Sequence, residues 1–173
     1  MRGTRRTSAS VVVLLLLLLL PMGTARGGEP LLIGTQLRST ETHPFDVYAH
    51  AHPELCAKPN AKAGFWSGRL AKWKLSNDSL WLLDVGFWRS KPDANNSQHE
   101  YQSAMSEFFP GEPVVFAQWF TGYLVVPCST DVQNSCMWDY LAYMNCSVFT
   151  IVSGLVESAR ELQEKEYQEF RQA

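Results

Sequence analysis

The segment FWSGRLAKWKLSNDSLWLLDVGFW, Phe65 to Trp88, places four tryptophans within 24 residues around a small polar break. Trp81, Leu83, Val85 and Phe87 fall on alternate positions, a spacing that gathers side chains on one face of a β-strand. Ahead of them stands Ser76-Asn77-Asp78-Ser79, four turn formers whose side chains bond their own backbone. Gly68 to Leu75 also suits a strand, so the segment predicts a β-hairpin with Asn77 at its tip. A hairpin cannot bury an indole-rich face by itself, so more sheet must pack against it.

The remaining segments supply that sheet. Leu31 to Leu37 reads as a short apolar strand, and Ser39 to Ala63 as an irregular connection with a helical turn near Val47 to Ala51. Ser90 to Glu107 is polar and reads as a surface loop. Val114 to Val126 carries no charge and is rich in β-formers, with Gly122 marking a bend or turn. Leu141 to Val152 gives a further strand or hairpin ending at Gly154. In the tail, Leu155, Ala159 and Leu162 stand at helical spacing among Glu and Lys, which predicts a helix from about Leu155 to Phe170. The expected fold is mainly β (α+β): an antiparallel sheet, as a sandwich or partly closed barrel, with a C-terminal helix.

The first 25 residues have the layout of a secretory leader: Arg2, Arg5 and Arg6, an apolar run from Val11 to Leu20, then Gly23 and Ala25 before a cleavage point. That run is about half the roughly 20 residues of a membrane span, and no second one follows. The expected organisation is a signal peptide at 1–25, one β-rich domain at 26–154, and a helical tail at 155–173, in a secreted or luminal protein. Without the three leader arginines, twelve Lys and Arg face 17 Asp and Glu, a net charge near −5. Such a chain lacks the basic cluster that nucleic acid or an anionic membrane requires.

Cys56, Cys128, Cys136 and Cys146 form an even set, and disulfides are the default in an oxidising compartment. Cys128 and Cys136 flank the polar segment Ser129 to Ser135, which pairs them as a loop closure and leaves Cys56 with Cys146. The sequence alone does not choose among the three connectivities. Asn77, Asn95 and Asn145 each open an N-x-S/T triplet, the acceptor pattern for an N-linked glycan.

Several residue sets bear on chemistry. His50 and His52, with His43 and Glu54 nearby, form the one clustered metal-ligand set; on a strand the two would face the same way and share a zinc or copper ion. The commoner outcome for such a pair is two surface histidines, and no cofactor is implied. Asp84, Glu112 and Asp139 lie in apolar surroundings. Asp84 alternates with Trp81 and is expected to point to solvent. There is no G-x-S-x-G elbow, phosphate loop or dinucleotide motif. Six Trp and six Tyr exceed what one sheet core needs, and exposed rings in secreted β domains stack on sugars or apolar ligands. Trp66, Trp88, Trp119 and Tyr123 are the candidate ligand-binding rings. The expected activity is a binding module for a small apolar ligand, a glycan or an extracellular protein; the alternative is a small secreted or lysosomal hydrolase using a carboxylate or histidine.

Three blocks together resemble a family of small, mostly bacterial proteins of unknown activity, which carries W-x-G-Y-x-x-x-W-x-I, a turn, and L-Y-L. The matching residues are Trp66-Ser67-Gly68-Arg69, Trp73-Lys74-Leu75 and Leu80-Trp81-Leu82. The second block is similar to Phe109-Pro110 followed by Ala117 to Leu124, and the third to Met144 through Leu155. The resemblance covers about Leu31 to Val156 and implies a β fold without transferring catalytic residues. Arg69 replaces an aromatic of that pattern, and the Cys128 to Cys136 segment stands where the family has a short turn.

Overall fold

The computed structural model describes residues 28–56, 69–90, 99–127 and 145–172. Three two-residue turns set the local architecture. Gly34, at φ 59°, opens the turn between β1 (Glu29–Ile33) and β2 (Gln36–Thr40). Asn77 and Asp78, at φ 52° and 53°, join β3 (Arg69–Ser76) to β4 (Ser79–Ser90). Ser153 and Gly154, at φ 48° and 81°, join β8 (Asn145–Val152) to β9 (Leu155–Gln163). Left-handed residues, paired in the second and third of these turns, twist a hairpin in the sense its strands prefer, which is why Asn, Asp and Gly occupy these corners. The expected hairpin with Asn77 at its tip is present.

The strands form one sheet in the order β2-β1-β3-β4-β9-β8-β7, where β7 is Gly122–Pro127. It is mixed: β1 runs parallel to β3, and the other pairs are antiparallel. The long β4 organises it. One side of β4 holds β3; the other holds β9 at Ser79, β6 (Val115–Phe116) at Trp81 and Leu82, and β5 (His99–Ser103) from Gly86 to Ser90. The sheet is not closed into a barrel, although its two edges meet at one corner. There Glu41 N–H and the Thr40 hydroxyl both donate to the Val125 carbonyl, at 3.1 and 2.8 Å.

The inner face forms the main core. Leu31, Ala71, Trp73, Leu80, Leu82, Val85, Leu124 and Ile151 are all buried there. α1 (Pro44–Ala51) closes this core with Phe45 and Ala49, and the short α3 (Met105–Phe108) adds Met105 and Phe108. A single turn, α2 (Pro53–Cys56), follows α1. The β7–β8 part of the sheet is covered on both faces. Val125, Cys146, Val148 and Leu162 pack on its outer side against Tyr167 of α4 (Glu164–Gln172). Val125 and Val126, neighbours that point opposite ways, are therefore both buried. Among the described residues no helix is long and apolar enough to cross a membrane.

Four expectations require correction. The tail from Leu155 to Gln163 is a strand, and the helix begins only at Glu164. Leu31 to Leu37 spans two strands. Part of the expected Ser90 to Glu107 loop forms β5 and α3. Finally, strict alternation along β4 fails. The two-residue turn sets Leu80 opposite Leu75, so Leu80 and Leu82 point inward while Trp81 and Leu83 are half-buried. Lys72 pairs with Asp84 but Trp73 with Leu82, which leaves Leu83 as an extra residue. This bulge resets the phase, and Val85 and Phe87 return to the core.

Candidate functional site

Two constellations of polar and aromatic side chains emerge. The first lies on the outer face of β3, β4 and β5. Because of the bulge, Asp84 faces Lys72 across the hairpin, and both are buried at 6% exposure. The Asp84 carboxylate accepts Lys72 Nζ–H at 3.1 Å and the Tyr101 hydroxyl at 2.9 Å on one oxygen, and the Ser103 hydroxyl at 2.6 Å on the other. Gly86 makes this possible: a Cβ there would stand 2.3 Å from the Gln102 carbonyl and 2.7 Å from the Tyr101 phenol oxygen. The Lys72 ammonium also lies 4.2 Å from the Tyr101 ring centre. Burial, followed by the Asp84 charge, pushes the Tyr101 hydroxyl well above the ordinary tyrosine range, which fixes it as a donor. Asp84, expected at the surface, is thus buried and paired. With three donors on its two oxygens, the Asp84 carboxylate acts as an anchor. Ser103 Oγ also accepts Met105 N–H at 3.3 Å, which ties β5 to the start of α3.

The second constellation surrounds α1. Phe45 and Ala49 face the core, and Tyr48 and His52 follow on the adjoining stripe. Tyr48 lies 4.4 Å from His52, 4.8 Å from Trp119 and 4.9 Å from Phe109, centre to centre. Phe109 and Trp119 stack at 5.7 Å with planes 16° apart. All four rings are half-buried. They rest on buried rings, since Phe45 meets Phe108 edge-on at 5.1 Å and Phe109 at 6.4 Å. The Trp119 indole is fixed in place by donating to the Pro44 carbonyl at 3.1 Å. Burial, then the Glu54 charge, raises the Tyr48 hydroxyl above its usual range and keeps it neutral. Glu54, held low first by a backbone N–H and further by His52, accepts from His52 at 3.1 Å.

The start of α1 carries a further contact. Glu29 is buried at 3% exposure, where Trp73 Nε1–H donates to it at 2.6 Å and Ala71 N–H at 3.4 Å. His43 Nδ1 lies 3.5 Å from the same carboxylate, with the His43 side chain 53% exposed.

The residues anticipated from sequence divide accordingly. Trp119 joins the ring cluster of α1. Tyr123 lies elsewhere, 49% exposed on β7 and edge-on to Phe170 of α4 at 4.9 Å. Trp88 sits on β4 opposite Tyr101, with its side chain outside the description. Trp66, Asn95, Cys128, Cys136 and Asp139 lie outside the described residues, as does the side chain of Cys56. Cys146 is buried on β8, Glu112 is exposed, and Asn77 and Asn145 are exposed. His50 and His52 stand at the end of a helix. Two positions of a helix separate side chains by about 200°, so the strand geometry assumed for a shared metal does not occur. No group of three His, Cys, Asp or Glu that could hold a metal occurs among the described residues.

Tyr48, Phe109, Glu29 and the Lys72–Tyr101 pair were not read as site residues from the sequence, and His43 was read only as a neighbour of the His50–His52 pair. Phe45, Tyr48, Ala49 and His52 at helical spacing were the available signal for α1. Compared with family models, curated proteins and solved structures, the chain matches none.

Proposed function

We propose that the protein is a binding module whose contact surface is the ring cluster of Tyr48, His52, Phe109 and Trp119. Rings that only fill a core are fully covered, as Trp73 and Phe45 are at 1% and 0% exposure. The four half-buried rings, packed 4.4–5.7 Å apart on a rigid buried base, are the observation that carries the reading. Fixed aromatic faces with polar tips suit a ligand that presents a flat C–H surface and hydroxyls, as a pyranose ring does. The His52–Glu54 pair at the margin supplies both a donor and an acceptor for such hydroxyls. In this reading the protein travels the secretory route, with glycans at Asn77 and Asn145, both exposed and distant in sequence from the cluster.

The experiment is a fluorescence titration of the purified glycoprotein with chitotriose, repeated with 1-anilinonaphthalene-8-sulfonate as an apolar probe. Trp119→Ala and Tyr48→Ala are each expected to weaken chitotriose binding roughly tenfold, the loss of one aromatic contact. Tyr123→Ala is expected to leave it unchanged. Binding that survives both cluster substitutions in folded protein would place the ligand elsewhere.

A further inference from the structure

Glu29 is a carboxylate set within the apolar interior, where charge is tolerated only with partners. Trp73, itself immobilised in the core, holds one oxygen at 2.6 Å. The other oxygen faces Nδ1 of a histidine whose side chain is half in water. A carboxylate behind Nδ1 keeps the proton on that nitrogen, makes Nε2 the basic atom and stabilises the imidazolium when Nε2 takes up a proton. His43 also immediately precedes Pro44, the residue whose carbonyl anchors Trp119.

We propose that His43 is a general base for ester hydrolysis, with Glu29 as its positioning residue and the Trp119 cluster holding the ring of the substrate. The substrate class is a carboxylic ester of a ring alcohol, such as an O-acyl sugar. Nε2 removes a proton from water as the water oxygen bonds to the acyl carbon. The tetrahedral intermediate then collapses, its bond to the alcohol oxygen breaks, and the imidazolium returns the proton to that oxygen. Ester and water give acid and alcohol, and His43 ends neutral. A single imidazole base suits an ester. A glycosidic bond needs two carboxyl groups flanking it, and here the carboxylate stands behind the histidine. The assignment of the substrate's ring rests on the binding reading; the His43–Glu29 chemistry does not.

The test is hydrolysis of p-nitrophenyl butyrate and of peracetylated glucose by the full secreted protein, followed against pH. Saturable turnover is expected, with a kcat that rises as His43 loses its proton. His43→Ala should lower kcat by about 100-fold or more, and added imidazole should restore part of it. His43→Gln gives the same loss if the alanine variant misfolds. Glu29→Gln keeps an acceptor for Trp73 and should move the acidic limb of the kcat profile to lower pH, because the imidazolium loses its counter-charge. Trp119→Ala should raise KM more than it lowers kcat. Absence of turnover in wild-type protein, or turnover unchanged in folded His43 variants, would overturn the proposal. Loss of turnover in the His43 variants with unchanged KM in Trp119→Ala would retain the dyad and remove the ring cluster from the site.

Discussion

Lys72, Tyr101 and Ser103 hold the Asp84 carboxylate in a buried anchor on the outer face of the sheet. It lies on the face opposite Val85 and Phe87, as alternation requires, and is buried because the bulge at Leu83 sets it across from Lys72 while β5 brings Tyr101 and Ser103 over it. A bulge inserts a residue without any required residue type, so the sequence carries no mark of it. Gly86 is the nearest hint, an otherwise unfavourable glycine inside a strand that makes room for a phenol. Removing one member of a buried ion pair strands the other, at a cost of about 3–5 kcal/mol. Asp84→Ala is expected to lower stability by that amount in chemical unfolding. A double-mutant cycle with Lys72→Met should show strong coupling between the two positions, and additive effects would refute the anchor role.

At the scale of elements, one of the three tight hairpins was legible, where four turn formers in a row separate two apolar runs. Asn77-Asp78 sits where the sequence put it. The tail was not legible, because Leu155, Ala159 and Leu162 repeat at a helical interval while the chain is held in a strand by the Ser153-Gly154 corner and eight residues of β8. Of those three apolar residues only Leu162 is buried, beneath Tyr167, so tertiary pairing overrides the local period. The corner is strict. Gly154 has φ 81°, and a Cβ there would lie 2.8 Å from the Ala117 carbonyl. Gly154→Ala is expected to cost about 1–3 kcal/mol, read as a lowered melting midpoint. Gly111→Ala offers a comparison, since its φ is also positive but nothing lies near its missing Cβ.

For the whole molecule, the sheet and its indole-lined interior follow from pattern, whereas the candidate site does not. The parallel β1–β3 pairing brings Glu29 to Trp73, and α1 folding over the core brings Tyr48 to Phe109 and Trp119. The parallel pairing leaves no local signature, and the helical spacing of Phe45, Tyr48, Ala49 and His52 marks α1 without fixing where it docks. One global property can be derived from three of the tyrosines. Burial raises the hydroxyls of Tyr48, Tyr101 and Tyr167 above their unfolded value, reinforced by Glu54, Asp84 and Glu41 respectively. The folded state thus binds more protons at alkaline pH, so the stability they contribute is complete below about pH 10 and is lost as pH rises further. Circular dichroism and tyrosinate absorbance are expected to change together in a cooperative alkaline transition. Tyr101→Phe should reduce its steepness, and independent titration of the tyrosines in folded protein would contradict it.

Strand β9 has a consequence beyond its own hairpin. From Glu157 to Glu161 its side chains are exposed on both faces, and after Val156 no further strand lies beside it among the described residues. A bare ribbon margin invites another molecule to zip alongside. Antiparallel alignment centred on Ala159 would set the Glu157 of each copy against the Glu161 of the other, and such like-charge confrontation disfavours joining. The two acids thereby fence this margin against edge-to-edge growth of the ribbon.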